Sequence, residues 1–212
     1  MGEKLFYNGA MASFHYRQEI YRKLIHLSSL WMAGVIYFCE KPVSLAVFGG
    51  FMSITLIYEG VRRQDHALAH LLERVLGAAL RPEEKAGRFK PSGAIYVLAA
   101  AFLCVLLFPR MIAVTALAMA LTGDAAASLA GIKFGRRKVF DKSLEGAVAF
   151  FAAALVTADV IAAALPAGAG YMSAAAIAAF AAAAVELTAK KTGINDNLSV
   201  PLAAGAVMLL LL

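Results

Sequence analysis

Charged residues are scarce in this sequence. Only 16% of the 212 residues are Asp, Glu, Lys or Arg, whereas 61% are apolar, and ordinary soluble domains carry roughly a quarter charged residues. A soluble fold of this length has too small a core to bury so much apolar surface. The composition therefore excludes a typical soluble domain and predicts an integral membrane protein.

Two further absences narrow the class of membrane protein. The apolar runs lack the residue-by-residue alternation that the strands of a membrane β-barrel need, which favours helices. Residues 1–18 are too polar to supply the apolar centre of a signal peptide, so we expect no cleaved leader. Cysteine is limited to Cys39 and Cys104, which predicts neither a disulfide framework nor a cysteine metal motif.

The apolar residues fall into seven runs separated by short basic stretches. Each run is close to the ~20 residues that a helix needs to cross a bilayer. The sequence therefore predicts an all-α fold, a single polytopic bundle of about seven transmembrane helices over residues 1–212. The predicted spans are Leu24–Phe38, Pro42–Tyr58, Ser92–Phe108, Met111–Ala130, Ser143–Leu165, Tyr171–Ala189 and Leu198–Leu212.

The lysines and arginines lie almost entirely on one side of the predicted bundle. Four precede the first span, seven lie between the second and third, five between the fourth and fifth, and two after the sixth. Only Lys41 and Arg110 fall on the other side. Because basic loops stay in the cytoplasm, we expect a cytoplasmic N-terminus, an external C-terminus and a bacterial inner-membrane location. Basic loops beside anionic headgroups also explain the net charge of +6 without a nucleic-acid partner.

The longest connection, residues 60–90, is predicted to be a cytoplasmic loop that contains a helix. Apolar residues recur at helical spacing over Asp65–Leu80, and Arg81-Pro82 marks the predicted end. The favoured interpretation is an amphipathic helix lying on the inner leaflet. The alternative is a lid over a site.

Ionisable residues inside the predicted spans share one depth, near the cytoplasmic ends. Asp124 lies toward that end of the fourth span, Glu186 about a turn from the end of the sixth, Glu59 at the end of the second and His26 at the start of the first. Asp159 is the exception, nearer the outer side, and is interpreted either as structural or as a sign that the span boundary lies elsewhere. Transporters tend to place polar groups near the midplane, so the shared depth favours a site that opens to the cytosol.

The segment Thr122–Gly146 is the densest in polar and small residues. On a helix, Asp124, Ser128, Gly131 and Gly135 fall on one narrow face. The two glycines would let a ligand approach the backbone closely. The structural alternative for Asp124 is a salt bridge to a neighbouring lysine or arginine.

The basic loop over 131–142 is predicted to bind a nucleotide. Its cations are Lys133, Arg136, Arg137, Lys138 and Lys142. They precede a helix that opens with Ser143, Glu145 and Gly146, and a helix N-terminus beside basic side chains is an anion site. An acidic residue within reach would hold a divalent cation that carries phosphates. The simpler alternative is a positive-inside loop that touches anionic lipid.

Two shorter polar clusters flank the first and last spans. Asn195-Asp196-Asn197 suits the N-cap of a helix or, alternatively, a metal and nucleotide site shared with Asp124 and Glu186. The other cluster is spaced at i, i+3, i+4 and i+7 and comprises Glu19, Arg22, Lys23 and His26. It either lines the same pocket or is a juxtamembrane turn in which Glu19 pairs with Lys23.

Four blocks, in this order, resemble the CTP-dependent lipid-alcohol kinases, the family of dolichol kinase, phytol kinase and the yeast-type diacylglycerol kinase. The blocks are Glu19-x-x-Arg22-Lys23-x-x-His26, Glu59-x-x-Arg62, Gly123-Asp124…Gly131…Gly135…Lys142-x-x-Glu145-Gly146 and Asn195-Asp196-Asn197-Leu198…Pro201. Together they cover nearly the whole chain, and the third block is the most distinctive. The resemblance implies a membrane-embedded kinase that uses CTP and magnesium.

On this resemblance the polar residues receive roles. The candidate catalytic residues are Asp124, Asp196 and Lys142, and the candidate metal ligands are Asp124, Glu186 and Asp196. The candidate nucleotide-binding residues are Gly131, Lys133, Gly135, Arg136, Arg137, Lys142, Ser143, Glu145, Gly146 and Asn197. The further pocket residues are Arg22, Lys23, His26, Glu59 and Arg62.

The expected reaction transfers the γ-phosphate of CTP to the hydroxyl of a polyprenol, a phytol-like prenol or diacylglycerol. The related CTP:phosphatidate cytidylyltransferases share a comparable Gly- and Asp-containing block. Their C-terminal Lys-Asp and His-Gly-Gly…Asp-Arg signature is replaced here by Asn195-Asp196-Asn197-Leu198, which favours the kinase. A transporter or a non-catalytic membrane scaffold is the alternative from another class.

Overall fold

The protein is built almost entirely from helices. A computed structural model describes residues 16, 19–64, 92–140 and 142–212, with backbone only at 61–64 and 190. The first described segment of helix covers residues 19–28. Within the described ranges seven helices follow: α1 Trp31–Phe38, α2 Lys41–Gln64, α3 Gly93–Leu107, α4 Arg110–Phe134, α5 Leu144–Ala164, α6 Tyr171–Thr192 and α7 Asp196–Leu211. Two short antiparallel strands, β1 Lys138–Val139 and β2 Lys142–Ser143, join α4 to α5.

Four of these helices are long and apolar enough to cross a membrane. They are α2 over Lys41–Gly60, α4 over Arg110–Phe134, α5 over Leu144–Ala164 and α6 over Tyr171–Ala189. The helices α3 and α7 are apolar but shorter, with 15 and 16 residues. The prediction of a mainly helical chain with helices of membrane-spanning length is therefore confirmed, while the number of crossings and their sidedness stay predictions.

The structure moves several of the predicted boundaries. The first predicted span is interrupted, because the helix over 19–28 gives way to a turn at Ser29 and Leu30 before α1 begins. Helix α2 continues six residues past Tyr58, to Gln64. Helix α4 reaches Phe134, so the predicted basic loop over 131–142 begins as helix. The rest of the predicted loop over 60–90, with its amphipathic helix Asp65–Leu80, lies outside the described residues.

Helix α4 lies at the centre of the helix bundle. In its apolar stretch 67% of the residues are buried, against 17% in α2 and α5. It packs against α5, α7, α1 and α3, and its side chains are buried almost without interruption from Ile112 to Leu121. A polar side chain on the next turn of α4 is therefore surrounded by several helices.

Small residues bring α4 and α5 close together. A Cβ atom added at Gly123 would lie 2.7 Å from ring carbons of Phe150, which is fully buried. Alanines at positions 154 and 158 of α5 are likewise fully buried, and small residues permit such close helix approach. The position of Gly123 therefore fixes the spacing of the two helices directly before Asp124.

We expect the substitution Gly123→Ala to destabilise the bundle, by about 1–3 kcal/mol, because the added methyl overpacks against Phe150. The measurement is the thermal unfolding midpoint of the purified protein in detergent. Gly50→Ala is the matched control, since nothing lies within 4 Å of a Cβ atom at Gly50 in α2. Equal midpoints for the two variants would contradict the predicted overpacking.

Candidate metal and phosphate site

An open cavity of about 800 Å³ lies at one end of the bundle. Helices α4 and α6 end around it, and α3, α5 and α7 begin around it. The segment over 19–28 closes one wall with Arg22 and Lys23. Because two helix ends and three helix starts converge here, polar residues distant in sequence share one cavity.

Three carboxylates meet at the cavity wall. Asp124 comes from α4, Glu186 from α6 and Asp196 is the first residue of α7. One oxygen of each lies within 4.8 Å of the others. The chain turns sharply between α6 and α7 at Gly193, whose φ of 71° suits glycine, and this turn brings Asp196 back beside Glu186.

Two lysines compensate the charge of the three carboxylates. The Nζ atom of Lys23 donates to Asp124 Oδ2 at 2.5 Å, although the residues are 101 positions apart. Lys142 Nζ donates to Glu186 Oε1 and, at 3.0 Å, to Asp196 Oδ2. Burial opposes the charge of Lys142, but the carboxylates of Glu186 and Asp196 outweigh it and raise the pKa of Lys142 above its ordinary value. The ammonium group is therefore charged at neutral pH.

The carboxylate cluster fits a divalent cation. Glu186 is only 4% exposed, and its Oε2 atom has no hydrogen-bond partner within the described residues. A buried carboxylate oxygen without a partner is costly, and a cation is one group that satisfies it. Carboxylate oxygens are also the ligands that Mg²⁺ prefers in proteins. Asp124, Glu186 and Asp196 thus suit a metal that also contacts phosphates in the cavity.

The glycines of the third block make room for Ser143. The Oγ atom of Ser143 accepts a hydrogen bond from the backbone N–H of Gly146 at 3.0 Å and so caps α5. A Cβ atom at Gly131 or Gly146 would lie 2.9 Å from this Oγ, and one at Gly135 would lie 2.9 Å from the Cβ of Ser143. These residues line the cavity. A Cβ atom would lie closer still to a backbone oxygen, that of Gly131 for Gly135 and that of Ala127, at 2.8 Å, for Gly146.

The basic side chains between α4 and α5 lie at the rim of this region. Lys133, Arg136, Arg137 and Lys138 are exposed, and among them only Lys138 lines the cavity. Glu145 lies beside them: its carboxylate accepts the backbone N–H of Arg137 at 3.2 Å. Glu145 therefore holds the loop that contains β1 and β2.

Three other predicted pocket residues, Arg22, Glu59 and Arg62, have different outcomes. Arg22 lines the cavity and pairs with Glu19, not with Asp124, and this pairing replaces the Glu19–Lys23 alternative. Glu59 is buried away from the cavity wall, where its Oε1 accepts the N–H of Ser92 at 2.7 Å ahead of α3. The side chain of Arg62 lies outside the described structure.

Asn197 and His26 share a smaller cavity with the three carboxylates. The backbone N–H of Asn197 donates to Asn195 Oδ1 at 3.0 Å, so the predicted N-cap of α7 is present. His26 Nε2 lies 3.2 Å from Asp124 Oδ2. Both residues therefore lie against the carboxylates without lining the large cavity.

Sequence reasoning missed the wall that α3 contributes. Gly93 and Tyr96, one turn apart at the start of α3, line the large cavity. They sit in an apolar run with no charged neighbour in the span, so nothing in the local sequence marked them. A tyrosine close to the end of a span, where its hydroxyl reaches a polar region, is the one signal available.

Comparison with known proteins leaves the activity open. The chain matches no protein-family model, and no solved structure matches it. It is similar to an uncharacterized protein of Rickettsia prowazekii (strain Madrid E), with 29% identity over 184 residues, 85% of this chain and 88% of that protein.

Proposed function

We propose that the protein is a membrane-embedded kinase that transfers the γ-phosphate of CTP to the hydroxyl of a lipid alcohol. The observation that carries the proposal is the convergence of Asp124, Glu186 and Asp196 with Lys23 and Lys142 at one cavity. Phosphoryl transfer needs little covalent chemistry from a protein; it needs positioning and charge neutralisation. This cavity offers acids for a metal and cations for phosphates.

The preference for CTP and for kinase chemistry is drawn from the resemblance of the four sequence blocks. The cavity, at about 800 Å³, is in the range of small-molecule sites, about 300–1,000 Å³, and accommodates a nucleoside triphosphate. The N-termini of α5 and α7 both face it, and helix N-termini favour phosphate. Transfer of a γ-phosphate to a hydroxyl is the same reaction for a polyprenol, a phytol-like prenol or diacylglycerol, so each of them is compatible as the acceptor.

The proposed topology has seven crossings with the cavity on the cytoplasmic side. The four long apolar helices support membrane insertion. Among the described residues, the cavity is lined by Arg22, Lys23, Lys138 and Lys142, whereas Lys41 and Arg110 lie at the opposite end of the bundle, and basic residues favour the cytoplasmic side. The shorter helices α3 and α7 begin at the cavity. Because the cavity is open to water, these two helices need apolar residues only over the remaining thickness of the bilayer. The acceptor then reaches the cavity laterally from the inner leaflet.

Five charged cavity residues have a part in the proposed reaction. A divalent cation held by Asp124, Glu186 and Asp196 would neutralise charge on the β- and γ-phosphates. Lys23 and Lys142 exchange their carboxylate contacts for phosphate oxygens when the nucleotide binds. The carboxylate of Asp124 orients the acceptor hydroxyl and takes its proton as the hydroxyl oxygen bonds to the γ-phosphorus and CDP leaves.

The experiment that tests this function uses the purified protein in lipid with Mg²⁺ and CTP labelled separately at the α- and γ-phosphates. A panel of polyprenol, phytol, diacylglycerol and phosphatidate serves as acceptors. We expect label to reach an alcohol from the γ position only, and the accepting alcohol names the substrate.

Two other results would replace the proposal. Transfer of the α label to phosphatidate would identify a cytidylyltransferase. The absence of transfer from CTP, UTP and ATP at either position would reject nucleotide chemistry, and flux of a solute in vesicles would then support a transporter.

A further inference from the structure

A second, much smaller cavity lies deeper in the bundle against the same three carboxylates. Its volume is about 10 Å³, close to the space that one water molecule or one ion needs. Asp124, Glu186 and Asp196 line it together with His26 and Asn197. Its other walls are apolar side chains of α3, α4 and α7, completed by Pro201. The carboxylates therefore separate an open, nucleotide-sized cavity from a pocket of atomic size.

Two polar atoms at this small cavity have no hydrogen-bond partner within the described part of the chain. They are Glu186 Oε2 and His26 Nε2. Glu186 is 4% exposed and the His26 side chain 14%, so bulk water does not readily satisfy them. Lys23 and Lys142 donate to one oxygen each of Asp124, Glu186 and Asp196, so Glu186 Oε2 and His26 Nε2 are the two described atoms at this cavity whose lone pairs a cation would satisfy.

The spacing of His26 and Asp124 suits two ligands of one ion. His26 Nε2 lies 3.2 Å from Asp124 Oδ2, yet the two atoms do not form a hydrogen bond. Two ligands that lie about 2.1 Å from a metal and meet at a right angle are about 3 Å apart. With its proton on Nδ1, the imidazole presents the lone pair of Nε2 toward the carboxylates.

We infer that His26 is a fourth ligand of the cation, which therefore sits at the small cavity, and that the site prefers Mn²⁺ or a similar first-row ion over Mg²⁺. The inference rests on the proposed function only for the presence of the cation. Oxygen ligands suit both Mg²⁺ and Mn²⁺, whereas an imidazole ligand favours first-row transition ions. Mg²⁺ also dehydrates reluctantly, which disfavours a pocket with room for about one water.

The test measures nitrogen ligation directly, with Mn²⁺ as the probe. The full-length protein, free of any histidine tag, is loaded with Mn²⁺ alone and with Mn²⁺ plus CTP. Electron spin-echo modulation then detects the ¹⁴N coupling of a bound imidazole. His26→Gln is the test variant; a triple variant in which His15, His66 and His70 are each changed to Gln is the matched control.

We expect imidazole coupling in the wild type and the triple variant, and its loss in His26→Gln. The affinity for Mn²⁺ should fall by at least about ten-fold in His26→Gln, and the affinity for Mg²⁺ by much less. Bound Mn²⁺ without ¹⁴N coupling in the wild type, or coupling that survives His26→Gln, would overturn the inference while the proposed function stands. Failure of the wild type to bind Mn²⁺ in either condition would overturn the metal site of the proposed function as well.

Discussion

Replacing Asp124 by Asn should abolish γ-phosphoryl transfer, lowering kcat by a factor of about 10³ or more. The amide keeps the size of the side chain but removes one of the three negative charges at the cavity wall. It also leaves the acceptor hydroxyl without a proton acceptor. Both losses act on the chemical step, so we expect the effect in kcat with the labelled-CTP assay rather than in the KM for the alcohol.

The Asn substitution also affects Lys23, and the experiment has to separate this effect from catalysis. Lys23 is 3% exposed and loses its carboxylate partner; removing one member of a buried ion pair costs about 3–5 kcal/mol. The double variant Lys23→Met/Asp124→Asn removes both charges and should recover much of the thermal midpoint while staying inactive. Asp159→Asn, exposed on α5 and outside the cavity walls, is the control that should remain active. A folded, active Asp124→Asn protein would reject the assigned role.

Local features of the sequence were enough to predict much of the fold. Apolar length and helix caps are local properties, so the apolar runs fall on helices, and Ser143 and Asn195 cap α5 and α7 as their residue types favour. The shared depth of Asp124 and Glu186 in their spans placed them on one side of the bundle. The structure brings them within reach of Asp196.

Pairing between distant segments could not be predicted in the same way. Spacing along one helix made Lys23 a partner for Glu19, but Asp124, 101 residues away, takes Lys23, and Glu19 pairs with Arg22 instead. Spacing also suggested that Gly131 lets a ligand approach the backbone, which stays a prediction; it could not show that Ser143, the N-cap of α5, packs against Gly131. In both cases the contact is made by a residue of another element, and the position of that element depends on how the helices pack.

Lys142 links the loop between α4 and α5 to both α6 and α7, and its replacement by Met is expected to have the second largest effect. The variant removes the ammonium group that faces Glu186 and Asp196. We expect turnover to fall by about 10²–10³, the order of the loss when one hydrogen-bond donor to a developing oxyanion is removed. Because the raised pKa keeps Lys142 charged at neutral pH, we expect this loss in an assay at pH 7.

The same variant gives a test of the cluster that does not depend on turnover. Without Lys142, the carboxylates of Glu186 and Asp196 repel each other, so the unliganded protein should lose stability, and a divalent cation should restore it. The rise in thermal midpoint on adding Mn²⁺ should therefore be larger for Lys142→Met than for the wild type.

Lys142→Arg keeps the charge and should show the smaller, wild-type rise. Lys41→Met, at the other end of the bundle, where Lys41 donates to the carbonyl of Leu106, should leave the response to Mn²⁺ unchanged. Equal responses in Lys142→Met and the wild type would mean that Lys142 and the cation do not share Glu186 and Asp196.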